Sequence, residues 1–384
     1  MDEVVIVEAV RTPMGRRNGR LKDIHPVVLA SLVMKELLAR AGLEPVAVDD
    51  VVWGCVTQVG EQGVNVGRNA WLTAGFPVTT PATTVDRQCG SSQQAIHFAA
   101  NLIASGVCSI TIAGGVESMS RIPIGVNAIS PGTPFPPELL ELYGLVPQGI
   151  SAELMARKYG ISRRAMDEFS VRSHRLAAAA SEGGHLSSQI MPIEVTTEGM
   201  SGIMDHDEGI RPHSTYEAVA ALSPAFNPEH TITAGNSSQI TDGSAAVLLM
   251  SRDKATELGL RPRARIVAQA VVGTDPVLML EGPIPATAAV LRQAGLTLSA
   301  IDLFEVNEAF ASVVLAWLKE TGADPDKTNV NGGAIAIGHP LGASGARLMN
   351  HLLYELERRN ARYGLQAMCC GGGLGIATII EKLD

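Results

Sequence analysis

The chain has 384 residues, of which 46% are apolar, and a formal net charge of −9. A chain of this size and apolar content buries a large core, and its length predicts two or three domains. Because the balance is acidic and both charge signs are mixed along the chain, we expect no nucleic-acid partner.

The cysteines and apolar runs predict the compartment. The five cysteines form an odd set without framework spacing, which indicates reduced thiols: Cys55, Cys89, Cys108, Cys369 and Cys370. No Cys/His cluster has zinc-finger spacing, so no metal is expected. No apolar run approaches the roughly 18 residues of a membrane span, and the first residues lack a signal-peptide pattern. We therefore expect a cytoplasmic protein without a membrane span.

Strands and helices are predicted to alternate over the first 120 residues. An apolar strand over 1–11 is followed by a helix over 27–40, which ends at Gly42. Residues 49–56 and 109–113 are short apolar strands, the second stopping at Gly114-Gly115. Such alternation predicts a parallel α/β sheet with helices on both faces.

This alternation is lost between residues 121 and 234. The segment is proline-rich from Pro123 to Pro147 and then shows helical patterns over 150–159 and 163–181. We expect an inserted domain of loops and helices that covers one side of the sheet. The strand-like run at 245–250 then restores the core pattern.

The second half of the chain repeats the first. Residues 41–56 (AGLEPVAVDDVVWGCV) and 294–309 (AGLTLSAIDLFEVNEA) share a helix ending in Ala-Gly-Leu, a spacer, Asp and an apolar strand. The offset of about 250 residues recurs for later elements, and internal repeats fix architecture. Two βα halves, 1–120 with 235–262 and 263–384, are therefore expected to pack face to face. Ligands of open α/β sheets bind where strand carboxyl ends and helix starts meet.

Cys89 lies just ahead of a predicted helix, with Ser91 or Ser92 as its N-cap. A helix N-terminus favours the thiolate, which is the nucleophilic form of cysteine. A lone cysteine is, however, more often a small buried hydrophobic residue. The local pattern leaves both interpretations open.

Polar elements at equivalent strand ends and helix starts strengthen the catalytic interpretation. They are Cys89, Asn307, His339 and the pair Cys369-Cys370. Two thiols, an imidazole and an amide supply what acyl transfer needs: a nucleophile, a base, an oxyanion donor and a second acid/base.

Motifs that span nearly the whole chain resemble those of the thiolase family. They are Arg11-Thr12-Pro13, DRQCGSSQQA at 86–95, GGVESMS at 114–120, TAGNSSQITDG at 233–243, NEAFAS at 307–312, NVNGGAIAIGHPLGASGAR at 329–347 and CCGGGLG at 369–375. The resemblance implies a thiolase-like α/β fold, with two repeated halves in a layered α-β-α-β-α core. The inserted loop domain, 121–234, would cover the coenzyme A and acyl pocket. It also implies a homo-oligomer, either a dimer or a dimer of dimers.

The resemblance also implies roles for individual residues. Cys89 would be the acylated nucleophile, and His339 the base that also stabilises the first oxyanion. Asn307 would hold a water in the same oxyanion hole, and Cys369 would be the second acid/base. The backbone N–H groups of Cys89 and Gly371 would form the second oxyanion hole. Ser238 and Arg211 fall where the family contacts coenzyme A.

The reaction implied is thiolytic cleavage of a 3-ketoacyl-CoA to acetyl-CoA and a shortened acyl-CoA. It would run through acyl-Cys89 with ping-pong kinetics, with coenzyme A as co-substrate and no permanently bound cofactor. Formation of acetoacetyl-CoA in the biosynthetic direction is the alternative within the family.

Two proteins of related fold are further alternatives. A ketosynthase-type condensing enzyme generally lacks a second cysteine before a glycine triplet, which this chain has at Cys369. A non-catalytic lipid- or acyl-CoA-binding relative would be expected to have lost a nucleophile or base, and none is lost here.

A few positions depart from the family pattern. Ser92 stands where many members have glycine, and Gln239 and Thr241 differ from the commoner short-chain form. Pro147-Gln148 stand where short-chain biosynthetic members carry a His-Met pair over the acyl pocket. We therefore expect longer or bulkier acyl groups.

Overall fold

The computed structural model describes residues 2–129, 132–197 and 200–384. The first half of the chain contributes six strands and four helices, which come before and after the inserted segment. The strands are β1 (Val4–Arg11), β2 (Gly15–Arg16), β3 (Asp50–Gly54), β4 (Ala82–Val85), β5 (Ile110–Ser118) and β8 (Thr241–Ser251). The helices are α1 (Pro26–Ala41), α2 (Val66–Thr73), α3 (Ser91–Ala104) and the short α8 (Arg252–Glu257).

The inserted segment contains helices and one hairpin. Its helices are α4 (Pro137–Tyr143), α5 (Gln148–Lys158), α6 (Arg163–Glu182) and α7 (Tyr216–Ala220). Its strands, β6 (Ile193–Thr197) and β7 (Met200–Met204), form a separate two-stranded antiparallel sheet that the sequence pattern did not predict. The division at residues 121 and 234 stays a prediction.

The second half repeats the first without an insertion. Its strands are β9 (Ala264–Gly273), β10 (Leu303–Val306), β11 (Tyr363–Cys370) and β12 (Leu374–Lys382). Its helices are α9 (Pro283–Ala294), α10 (Ala311–Thr321) and α11 (Ser344–Arg359). Single-turn 3-10 helices occur at Pro45–Ala47, Gly60–Gln62, Val126–Ala128, Ser187–Gln189, Met279–Glu281, Leu298–Ala300, Pro325–Lys327 and Leu341–Ala343.

The two halves have the same strand order. The main sheet runs β10-β11-β12-β9-β1-β8-β5-β3-β4, so β9, β12, β11 and β10 correspond to β1, β8, β5 and β3. In each half one strand, β8 or β12, runs antiparallel to both of its neighbours. The expectation of an all-parallel sheet was therefore wrong. Each reversed strand follows an excursion or a tight turn, and periodicity carries no information on strand direction.

Local signals explain why the repeated segments fold alike. Both α1 and α9 begin with proline in the first turn and end at a glycine in the left-handed region, Gly42 (φ 62°) and Gly295 (φ 65°). Glycine adopts this conformation without the Cβ penalty, so the chain reverses there. A 3-10 turn and a short strand follow in each half. The repeat predicted from the sequence is confirmed.

The sheet and helices form five layers. One apolar cluster joins α1 and α2 to the outer face of the first half-sheet, and another joins α9 and α10 to that of the second. Between the half-sheets lie α3 and α11, whose apolar residues share a third cluster with both. Strands β5 and β8 are buried along their whole length, because helices cover both faces. This arrangement confirms the predicted α-β-α-β-α core and brings the starts of α3 and α11 together.

Candidate active site

Cys89 lies in a tight turn between β4 and α3. The preceding residue, Gln88, has a φ of 49°, and a side chain in this left-handed region costs roughly 1–2 kcal/mol. The hydroxyl of Ser91 accepts a hydrogen bond from the Arg87 N–H (2.9 Å) and donates to the Gln88 carbonyl (2.6 Å). These bonds hold the turn in its strained shape. Strain of this kind is characteristic of functional sites.

The predicted N-cap was wrong. The N-cap position of α3 is Gly90, and no side chain caps the helix there. Ser91 is engaged by the turn, and the Ser92 hydroxyl accepts a hydrogen bond from the backbone N–H of Ala346 (2.9 Å) in the first turn of α11. The serine that replaces the usual glycine thus ties the nucleophile helix to α11, the helix that follows the His339 loop.

The Cys89 thiol is protonated at rest. It is 5% exposed, and burial raises its pKa to about 11, although hydrogen bonding from the N–H groups of Gly371 and Cys89 and from the Gln148 side chain lowers it in part. The sequence led us to expect that the helix start would favour the thiolate, but burial outweighs that effect. A base is needed to generate the nucleophile.

The structure fixes the tautomer of His339, whose assignment as the base stays a prediction. Its Nδ1 lies 2.5 Å from the Ser344 hydroxyl, which itself donates to the Pro340 carbonyl at 2.8 Å. The Ser344 oxygen must therefore accept from Nδ1–H, which leaves Nε2 unprotonated and able to act as an acceptor. Burial first, and then the charge of Arg347, lower the pKa of His339 to about 3. The imidazole is neutral at physiological pH and can accept a proton.

Two residues that depart from the family pattern hold the loop of His339. The Gln239 side-chain amide donates to the carbonyls of Ile335 (2.8 Å) and Ala336 (2.9 Å). The hydroxyl of Thr241 accepts from the His339 N–H at 3.1 Å. The sequence motifs did not reveal that these two side chains hold the His339 loop, because the contacts join segments about 100 residues apart.

Asn307 follows β10 and lies beside the histidine. Its Nδ2 is 3.3 Å from His339 Nε2, while its buried Oδ1 has no partner among the described residues. The adjacent Glu308 accepts from Ser173 (2.6 Å) and from the Ile335 N–H (3.1 Å). Sequence reasoning quoted Glu308 as part of a motif but missed this structural role.

The cysteine pair ends β11 next to the nucleophile. Both thiols are almost completely buried, and burial first, followed by the nearby Cys89, raises the pKa of Cys369 and of Cys370. The Cys370 sulfur lies 2.7 Å from where a Cβ on Gly90 would be. Both thiols are therefore near Cys89, and the assignment of Cys369 as the acid/base stays a prediction.

Glu117, at the end of β5, joins the two halves. Its carboxylate accepts hydrogen bonds from the backbone N–H groups of Val56 (3.0 Å), Thr57 (3.0 Å) and Gly342 (2.8 Å). The Gln62 side chain supplies a fourth at 2.8 Å. Gly342 belongs to the loop after His339, so this buried carboxylate positions that loop. Burial, only partly offset by these bonds, raises the pKa of Glu117.

A cleft of about 670 Å³ opens onto Cys89 and Gly371. Its apolar wall comes largely from the insertion: Ile124, Phe135, Leu140, Leu145 and Val146. Pockets of this size with apolar walls and few polar groups are typical of small-molecule sites. Cys89 is therefore one of the few polar groups that line an otherwise largely apolar cleft.

The two residues predicted to contact coenzyme A lie away from this wall. Ser238 is half-buried and donates its backbone N–H to the Ala309 carbonyl at 2.9 Å. Arg211 is exposed, and its backbone N–H donates to His174 Nδ1 at 3.1 Å. Neither lines the cleft at Cys89, and both assignments stay predictions.

Residues 2–129, 132–197 and 200–384 contain neither a cluster of potential metal ligands nor a membrane-spanning helix. Within those ranges no group of three or more His, Cys, Asp or Glu side chains is arranged to hold a metal ion. None of the helices described there combines the length and apolarity needed to cross a membrane.

Family comparison covers almost the whole chain. Residues 4–253 match the family description "Thiolase, N-terminal domain", and residues 260–382 match "Thiolase, C-terminal domain". The chain is 47% identical to a 3-ketoacyl-CoA thiolase of Cronobacter sakazakii over the full length of both. It is 48% identical to a steroid 3-ketoacyl-CoA thiolase of Mycobacterium tuberculosis, covering all of this chain and 95% of the relative.

Solved structures agree with the sequence comparison. The acetyl-CoA acetyltransferase of Bacillus anthracis superposes with a TM-score of 0.93 at 41% identity. The human mitochondrial 3-ketoacyl-CoA thiolase gives a TM-score of 0.92 at 39% identity. Each comparison covers 100% of this chain and 99% of the other.

Proposed function

The chain belongs to the thiolase family, and we propose that its acyl transfer runs through a thioester on Cys89. The enzyme is an acyltransferase that cleaves 3-ketoacyl-CoA by thiolysis. The observation that carries the proposal is the fixed tautomer of His339, whose unprotonated Nε2 lies 3.3 Å from the side-chain nitrogen of Asn307.

The first half-reaction forms the acyl-enzyme. His339 Nε2 takes the proton of Cys89, and the sulfur attacks the 3-keto carbon of the substrate. The N–H groups of Cys89 and Gly371 hold the resulting oxyanion. Its collapse breaks the Cα–Cβ bond and expels the enolate of acetyl-CoA, whose oxygen is held by His339 Nε2–H and by a water on Asn307. Cys369 protonates the departing carbon.

The second half-reaction releases the shortened acyl group. The Cys369 thiolate takes the proton of an incoming coenzyme A thiol, which attacks acyl-Cys89. Collapse of this second tetrahedral oxyanion expels the Cys89 thiolate. The thiolate recovers its proton from His339, and the enzyme returns to its starting state. His339 and Cys369 both end the cycle in their starting protonation states. Coenzyme A takes up the acyl group and is therefore a co-substrate. The proposed steps use no bound cofactor.

The cleft favours acyl groups larger than acetyl. The cleft of about 670 Å³ lies within the range of roughly 300–1,000 Å³ that is typical of sites for small molecules much larger than an acetyl group. Its wall comes from the inserted segment, where Pro147-Gln148 replace the expected His-Met pair. We therefore favour thiolysis of longer or bulkier substrates over formation of acetoacetyl-CoA.

Measurement of kcat/KM for thiolysis of 3-ketoacyl-CoA substrates from four carbons upward tests this assignment. We expect kcat/KM to rise beyond four carbons. A maximum at four carbons would favour the acetoacetyl-CoA reaction instead.

Cys369→Ala tests the second acid/base. It should still accept an acyl group from a simple acyl-CoA, because no carbon is protonated in that step and His339 can pass the Cys89 proton to the departing coenzyme A thiolate, but it should fail at carbon–carbon cleavage. Equal loss of both half-reactions would contradict the separate role of Cys369.

Three further features belong to the proposal. We infer a homo-oligomer, a dimer or a dimer of dimers, in the cytoplasm, from the family resemblance and the composition. The division into a first half (1–120 and 235–262), an inserted domain (121–234) and a second half (263–384) is supported by the shared strand order. Ser238 and Arg211 are proposed to contact coenzyme A.

A further inference from the structure

The inserted segment brings the side chain of Gln148 beside Gly371, in the cleft that Cys89 also lines. Gln148 begins α5, is half-buried and lines the cleft together with Cys89 and Gly371. Its Nε2 lies 3.3 Å from the position that a Cβ on Gly371 would take, and Gln88 Oε1 lies 3.1 Å from the same point. Two carboxamides thus flank the backbone of Gly371.

The two carboxamides present opposite atoms to the site. Gln88 turns its Nε2 towards Asp86, at 3.3 Å from both carboxylate oxygens, so its oxygen faces Gly371. Gln148 presents its nitrogen, which is a hydrogen-bond donor. Of the two, only Gln148 can assist the N–H groups that converge near Cys89.

Helix α5 holds Gln148 firmly. Its next residue is Gly149, where a Cβ would lie 2.3 Å from the ring of Phe226. The Phe226 ring packs edge-on against Phe310 with centroids 6.2 Å apart, and one turn further along the helix Ala152 is fully buried. This packing fixes the backbone of Gln148, and a donor on a fixed backbone needs less reorganisation when charge develops nearby.

We propose that Gln148 is a further catalytic residue, whose side-chain N–H contacts the Cys89 sulfur and donates to the acyl oxygen during attack. It would supplement the N–H groups of Cys89 and Gly371 as a third donor. The proposal rests on the proposed function, in which Cys89 carries the acyl group. In the resting enzyme the same contact lowers the pKa of the Cys89 thiol against the effect of burial.

Two substitutions separate this role from a shape effect. Gln148→Met keeps the length and removes the donor, while Gln148→Glu keeps the shape and places an acceptor there. Gln293→Met, on the exposed side of α9, is the matched control. The measurements are the rate of acyl-Cys89 formation from excess 3-ketoacyl-CoA, by rapid quench and intact mass, and the pH midpoint of Cys89 alkylation by iodoacetamide.

Loss of one preorganised donor should slow acylation by Gln148→Met about 10- to 100-fold. The alkylation midpoint should also move to higher pH, and Gln148→Glu should show larger changes in both. The control should match the wild type.

An unchanged acylation rate in Gln148→Met would overturn the proposal. A slower rate with an unchanged alkylation midpoint would also overturn it, because altered pocket shape alone gives that result. Absence of any adduct on wild-type Cys89 would instead refute the proposed function itself.

Discussion

Replacing Glu117 should weaken both the fold and the placement of the catalytic histidine. The carboxylate is fully buried and accepts four hydrogen bonds, three from backbone N–H groups and one from Gln62. Glu117→Ala leaves all four donors without a partner. Glu117→Gln keeps one acceptor oxygen for two of the four donors. Its new N–H₂ group replaces the other oxygen and faces the remaining two donors, which then have no acceptor.

The magnitude follows from the number of donors left unpaired. Each unsatisfied buried donor costs about 1–3 kcal/mol, and water entering the void of the alanine variant satisfies part of this need. We expect the free energy of unfolding to fall by about 4 kcal/mol in Glu117→Ala and about 2 kcal/mol in Glu117→Gln. Glu257→Ala removes an exposed carboxylate paired with Lys254 and should cost less than about 1 kcal/mol.

Urea unfolding at fixed protein concentration measures these differences. Trp53, Trp71 and Trp317 are all fully buried, so tryptophan fluorescence reports the transition. Because Glu117 also holds the Gly342 N–H in the loop after His339, kcat should be lower than in the wild type even at urea concentrations at which the variant is still folded. A Glu117→Ala enzyme that is as stable and as active as Glu257→Ala would refute this reasoning.

Three other predictions concern the site. Ser92→Ala should lower the free energy of unfolding by about 1–3 kcal/mol in urea titration, since it leaves a buried N–H of α11 unpaired; exposed Ser105→Ala is its control, and equal values would contradict the expectation. Ser344→Ala frees the His339 tautomer and leaves two buried groups without a partner, so it should lower the free energy of unfolding by about 1–3 kcal/mol and also lower kcat about 10-fold or more under conditions in which the variant is fully folded; a wild-type kcat in the folded variant would show a purely structural role. Asn307→Ala should lower kcat about 100-fold with little change in KM; a change in KM alone would exclude a role in the transition state. The pKa of His339 is lowered to about 3 in the folded protein, against about 6.5 in the unfolded chain. The unfolded chain therefore binds more protons between these two pH values. As the pH falls below about 6.5, the free energy of unfolding should decrease by about 1.4 kcal/mol per pH unit because of this group. The wild-type rate should accordingly show no inflection near pH 6.5 from this group.

The sequence predicted the parts of the fold and site that depend on local pattern or on the repeat. Gly42 and Gly295 end equivalent helices because both need the left-handed conformation, and this signal is visible in a single chain. From equivalent strand ends and helix starts we also predicted that Cys89, His339 and Asn307 lie close together. The structure confirms the proximity of His339 and Asn307 directly.

What the sequence could not predict depends on long-range packing. The direction of β8 and β12 is invisible to periodicity. The Ser91 and Ser92 hydroxyls were assigned to a cap, but tertiary partners compete for them more strongly. The resting state of Cys89 was missed because burial, not the helix start, dominates its pKa.

The supporting residues of the site were missed for a related reason. Glu117 and Glu308 are buried carboxylates whose partners come from distant segments. Gln148 comes from the insertion and has no counterpart in the repeat. From the sequence alone, one cannot tell whether an acidic or amide residue inside a motif binds the substrate or holds a loop in place.

The central claim is that Cys89 carries the acyl group through a covalent intermediate. Intact-mass analysis after incubation with a 3-ketoacyl-CoA, without added coenzyme A, tests it most directly. We predict one acyl adduct, mapped to Cys89, lost on addition of coenzyme A and absent in Cys89→Ala. An adduct that survives in Cys89→Ala, or turnover in that variant at the wild-type rate, would contradict the account.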